Sequence, residues 1–133
     1  MLSPRLLLVD DEADFVGLLA KRLRRRKLEV SVAHTAEDAL AILADQEVDL
    51  VVLDIRLPGM DGLQTLAEIK RTYPQVHVIM MTGFADTEMA ARAMSHGAVA
   101  YLVKPVDVRE LLDQIYAAVE QQPPQSPPPS SPS

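Results

Sequence analysis

Asp49-Leu-Val-Val-Leu53 runs straight into Asp54, and Pro58-Gly59 marks a turn just beyond. An apolar run this short, with β-branched residues, reads as a strand buried on both faces, the kind found in parallel sheets. In open parallel sheets, ligands bind outside the carboxyl ends of the strands. Asp54 stands at such an end. Three other runs repeat the arrangement: Arg5-Leu-Leu-Leu-Val9 leads into Asp10 and Asp11, His77-Val-Ile-Met-Met81 into Thr82, and Ala100-Tyr-Leu-Val103 into Lys104. Together the four strands deliver three carboxylates, a hydroxyl and an ammonium to one edge of a sheet.

Segments with helical spacing lie between these runs. Phe15, Leu18, Leu19 and Leu23 mark one face of a helix over 14–26. Thr35 with Asp38 resembles a capping box and opens a second helix through Ala39, Leu40 and Leu43. A third follows Gly62 through Leu63, Leu66 and Ile69, and Pro74 enforces its exit. Thr87 to Met94 forms a fourth, closed at Gly97, and Asp107 with Glu110 caps a fifth through Leu111, Ile115 and Val119. The remaining strand, Glu29 to Ala33, has polar neighbours around Val30 and Val32, as an edge strand should. Right-handed crossovers with helices on both faces then predict a flavodoxin-like (βα)5 three-layer sandwich of strand order 2-1-3-4-5. That order sets strands 1 and 3 side by side and brings Asp10, Asp11 and Asp54 together.

The 133 residues, 48% of them hydrophobic, suffice for one ordinary core and leave no room for a second domain. A net charge of -6 speaks against direct nucleic-acid binding, which needs a basic face. The basic run Lys21 to Lys27 reads as the solvated end of a helix, where cations favour the dipole. With no cysteine, disulfides, thiolate metal sites and cysteine nucleophiles are excluded. No apolar run reaches membrane-spanning length, so a soluble, cytoplasmic protein is expected. Residues 1–120 form the expected folded unit. The tail 121–133 contains only Pro, Gln and Ser and is expected to be disordered, either a linker to a further domain or a terminus.

Three converging carboxylates need a counter-charge, so either one binds a proton or a cation joins them. Oxygen donors without His or Cys suit a hard ion, and Mg²⁺ accepts a few carboxylates plus water. A carboxylate is also a competent nucleophile, with aspartyl phosphate as a covalent intermediate. Phosphoryl transfer needs mainly positioning and charge neutralisation, which Mg²⁺ and a lysine provide. Asp54 is the best nucleophile candidate, with Thr82 as a hydroxyl donor and Lys104 as a charge partner for the phosphoryl oxygens. Taken singly, each of these residues has an ordinary structural use as a cap or a solvated side chain. Independent caps have no reason to assemble in this order.

These motifs carry a resemblance. Val9-Asp10-Asp11-Glu12, Leu53 to Gly62, Met81-Thr82-Gly83 and Tyr101-Leu102-Val103-Lys104-Pro105 resemble the receiver domain of two-component response regulators, the CheY-like fold, over residues 5–120. The resemblance implies phosphorylation of Asp54 from a sensor histidine kinase. It implies direct Mg²⁺ binding by Asp11 and Asp54, with Asp10 bound through water and the backbone carbonyl of Arg56 as a further ligand. It also implies a switch in which Thr82 moves toward the phosphoryl group and Tyr101 turns inward. A cis Lys104-Pro105 bond is implied as well. The output face would be the fourth helix, fifth strand and fifth helix, used for homodimerisation or for docking on an effector domain or target protein. Such a protein promotes its own phosphorylation and dephosphorylation but turns over no separate product. Arg56 and Phe84 flank the site and are expected to shield the phosphate from water.

Two rival readings remain. Haloacid-dehalogenase-like phosphatases want a second acid two residues after the nucleophile, where this chain has Arg56. A receiver-like interaction module that is never phosphorylated would usually lack part of the acid, Thr and Lys set, which is complete here.

Overall fold

Alternating apolar runs and amphipathic segments fold into one parallel sheet flanked by helices. A computed structural model describes residues 3–121 of the chain. The strands are β1 (Arg5–Val9), β2 (Glu29–Ala33), β3 (Leu50–Asp54), β4 (His77–Thr82) and β5 (Ala100–Val103). Five helices alternate with them: α1 (Ala13–Arg24), α2 (Ala36–Asp45), α3 (Gly62–Thr72), α4 (Thr87–Ser95) and α5 (Val108–Gln121). A short 3₁₀ turn, Phe84–Asp86, precedes α4. The sheet order is β2-β1-β3-β4-β5, the expected flavodoxin-like arrangement.

Successive residues of a strand point to opposite faces, and each face here has its own core. Leu7, Val9, Val51, Leu53, Val78 and Met80 pack with α2, α3 and α4 through Ala39, Leu66, Ile69, Ala90 and Ala93. Leu6, Leu8, Leu50, Val52, Ile79 and Met81 pack with α1 and α5 through Val16, Leu23, Leu111 and Ile115. All five residues of β3 are buried, as its apolar sequence requires, whereas β2 and β5 are partly exposed as edge strands. Register places the site. Val9 pairs with Leu53 and Asp54 with Met81, so the residues that follow β1 and those that end β3 and β4 emerge together.

Element ends differ in places from their expected positions. The first helix stops at Arg24 rather than Arg26, because Lys27 takes a left-handed conformation (φ 68°) and its neighbour Leu28 bonds back to Leu23. A lysine gives no sequence sign of a turn that glycine normally supplies. Thr35 accepts the Asp38 amide as expected, but only that half of a capping box forms. A full box is instead made by Asp61 and Gln64 at α3. Gly97 (φ 109°) follows α4 as its stop, and Asp107 accepts the Arg109 amide at 2.8 Å before α5. The Lys104-Pro105 bond is cis, as the resemblance implied. Helix α5 includes Gln121, one residue past the expected boundary, and the rest of the expected tail lies outside the described residues.

Candidate functional site

Asp10 leaves β1 with its amide still bonded to Ala33 on the neighbouring strand, 3.1 Å away. Its side chain is fully buried. Oδ1 accepts the Glu12 amide at 2.8 Å, while among the described residues Oδ2 accepts no well-directed hydrogen bond; Lys104 Nζ stands 2.8 Å from it as an ion-pair partner. Asp11 is exposed on the same turn. Asp54, ending β3, is only 6% exposed. Its Oδ1 accepts the Arg56 amide at 3.1 Å and its Oδ2 the Lys104 ammonium at 3.1 Å. One oxygen from each of Asp10, Asp11 and Asp54 lies within 4.8 Å of the others.

Lys104 is aimed by its own backbone, whose amide bonds to the Thr82 carbonyl at 2.8 Å. Its Nζ lies over the face of Phe15, 4.8 Å from the ring centroid, and also donates to Glu12 Oε1 at 2.9 Å. Burial favours the neutral amine, but pairing with Asp10 and Glu12 and the charge of Asp54 outweigh it and hold the ammonium pKa raised. Burial pushes the Asp54 carboxyl up, and the Asp10 charge adds to this; the Arg56 amide and Lys104 oppose the rise without cancelling it. One ammonium therefore serves several carboxylates. Oxygen-only donors, a buried carboxylate oxygen with no directed donor and a surplus of negative charge fit a hard divalent cation.

The structure brings Asp10, Asp11, Asp54 and Lys104 together and leaves two expected residues apart. Thr82 is fully buried at the end of β4, and its hydroxyl donates to the Gly83 carbonyl at 3.1 Å rather than to Asp54. Tyr101 is 38% exposed on β5. The Arg56 side chain crosses to Asp86, with Nε to Oδ2 at 2.6 Å and Nη2 to Oδ1 at 2.7 Å. An open cavity of about 470 Å³ results, walled by Asp11, Glu12, Asp54, Arg56, Asp86 and Lys104 among others. Phe84 belongs to the 3₁₀ turn beside it, but its side chain lies outside the described residues.

Three participants escaped the sequence reading. Glu12 follows the acidic pair directly, so its place beside Lys104 had a local signal. Phe15 had only a helix-core signal. The pairing of Asp86 with Arg56 joins positions with no common motif, and only the adjacency of β3 and β4 reveals it.

Residues 6–116 match the family described as the response regulator receiver domain. The transcriptional regulatory protein ZraR of Salmonella typhimurium is 37% identical over 114 residues, covering 86% of this chain and 26% of that protein. The response regulator protein FleR of Pseudomonas aeruginosa is 38% identical over 114 residues, covering 86% of this chain and 24% of that one. This chain thus spans about a quarter of the length of these curated relatives. Among solved structures, the receiver domain of NtrX from Brucella abortus superposes with a TM-score of 0.84 at 37% identity, covering 88% of this chain and 99% of that domain. A CheY-like receiver domain protein from Methanospirillum hungatei gives 0.84 at 32% identity, covering 90% and 96%. Sequence, sheet order and the acidic edge of the sheet thus converge, and the chain belongs to the response regulator receiver domain family.

Proposed function

We propose that the protein accepts a phosphoryl group on Asp54 from the phosphohistidine of a sensor histidine kinase, in a Mg²⁺-dependent reaction, and passes the signal to an effector domain or target protein. One observation carries the reading: the Asp54 carboxylate lies nearly buried yet borders an open cavity, with an amide on one oxygen and the Lys104 ammonium on the other. In the transfer an Asp54 oxygen bonds to phosphorus as the phosphorus–nitrogen bond breaks. The imidazole nitrogen keeps the electron pair and is reprotonated. Lys104 and the Arg56 amide favour the anionic carboxylate and oppose part of the upward pull of burial. Mg²⁺, bound by Asp11, Asp54 and the Arg56 carbonyl and through water by Asp10, would neutralise charge on the transferring oxygens. Thr82 and Lys104 then donate to the phosphoryl group, and Tyr101 turns inward as Thr82 moves.

The exposed side chains of Met94, Tyr101, Val103 and Tyr116 on α4, β5 and α5 support that face as the output surface, for a homodimer or a docked target. Among the described residues no helix is long and apolar enough to cross a membrane. Membership of the receiver domain family supports the cytoplasm as the proposed location. Incubation with Mg²⁺ and acetyl phosphate, followed by intact mass, tests the reading. One phosphoryl group is expected on the wild type and none on Asp54→Asn. Equal labelling of the variant would remove Asp54 as acceptor, and an unlabelled wild type would favour the interaction-module reading.

A further inference from the structure

Asp86 occupies the N-cap position of α4, yet its carboxylate caps nothing. It directly precedes Thr87–Ser95, and aspartate is among the preferred residues for accepting the free amides of a first helical turn. No such bond forms. The carboxylate faces the other way, gripped by both arms of the Arg56 guanidinium at 2.6 and 2.7 Å. Asp86 is 8% exposed, and among the described residues these are its only side-chain hydrogen bonds.

Arg56 in turn is tied to Asp54, since its amide donates to Asp54 Oδ1. Its side chain is 72% exposed, so apart from the Asp86 pair it is surrounded mainly by solvent. The cavity wall carries four carboxylates, Asp11, Glu12, Asp54 and Asp86, against two cations, Arg56 and Lys104. Lys104 is already shared among Asp10, Glu12 and Asp54. A phosphoryl group on Asp54 adds negative charge and strong acceptor oxygens, which a guanidinium fork matches well. Of the two cations, Arg56 has a single partner to give up.

We infer that phosphorylation of Asp54 draws Arg56 away from Asp86, and that the released Asp86 carboxylate turns onto the first-turn amides of α4 as its cap. The exchange rests on Asp54 being the phosphoacceptor. Its driving force is local: a buried carboxylate stripped of these donors must find others, and the first-turn amides of α4 with their positive dipole end are adjacent. One carboxylate cannot serve Arg56 and α4 at once. The start of α4 therefore has two arrangements, selected by the charge at Asp54.

Amide exchange at Glu88 and Met89, followed by NMR, tests this. Arg56→Ala frees Asp86 without any phosphoryl group, and protection of these amides is expected to rise about fivefold, the effect of gaining a cap. Wild type should show the same rise after treatment with Mg²⁺ and acetyl phosphate, with occupancy checked by intact mass. Asp86→Ala should show no rise in either state. Unchanged exchange in Arg56→Ala, or a full rise in Asp86→Ala, would overturn the exchange. Should the wild type take up no phosphoryl group, the assignment of Asp54 fails, while the Arg56→Ala measurement still decides whether Asp86 is a withheld cap.

Discussion

Asp49 precedes β3 and Asp54 ends it, yet their surroundings push the two acids in opposite directions. Burial and the Asp10 charge raise the Asp54 carboxyl, so its anion is a liability to the fold until a cation or phosphoryl chemistry uses it. Asp54→Asn is therefore expected to raise stability without Mg²⁺ by about 1 kcal/mol, read as a higher urea midpoint at unchanged slope. Burial also disfavours the Asp49 anion, but Arg5 outweighs it with its amide at 2.7 Å and its guanidinium at 3.0 Å, and the carboxyl ends below its ordinary range. A lowered carboxyl contributes stability above its unfolded pKa and loses it as pH falls through the folded one. Asp49→Asn should thus cost about 1 kcal/mol at neutral pH, allowing for solvent screening, and the gap from wild type should close in acid. Urea titrations across that range check the sign; a gap that widened in acid would refute it.

At the level of elements, α3 is set tightly against the end of β3, and this holds the Asp54 loop in place. A Cβ on Gly62 would lie 2.5 Å from the Ile55 Cα and 2.6 Å from the Asp54 carbonyl oxygen. The contacts are backbone, so nothing flexible can yield. Gly62→Ala is expected to destabilise the fold by about 2 kcal/mol or more and to slow phosphorylation, because relief requires α3 to back away from the strand end. Thermal unfolding and the rate of acetyl phosphate labelling measure the two effects. The need for glycine here was hidden in the sequence, where Gly62 read only as a helix start. Its cause is a close approach between a strand end and a helix, visible once both are in place. By contrast, the buried strands were legible, since short apolar runs admit few other uses in a chain where amphipathic segments alternate with them.

For the molecule as a whole, the three acids at the sheet edge form a charge defect that a bound cation should relieve. A ligand that binds only the folded state raises its stability by mass action. Millimolar Mg²⁺ is accordingly expected to raise the melting temperature of the wild type, and Asp11→Ala should lose most of that shift. A calorimetric titration of Mg²⁺ that gave the same affinity for both proteins would sink direct coordination by Asp11.

The alternation of apolar runs and helical segments determined the parallel sheet, its order and the edge at which Asp10, Asp11, Asp54, Thr82 and Lys104 would gather. That was possible because strand burial and crossover handedness are repetitive constraints, written locally and repeated along the chain. Only the tertiary structure decided which partners those residues take. Lys104 divides its charge among Asp10, Glu12 and Asp54, Thr82 keeps its hydroxyl on its own loop, and Asp86 answers to Arg56 instead of to its helix. Those choices depend on distances between loops from different strands, and side-chain competition across such a gap leaves no period or motif in the sequence.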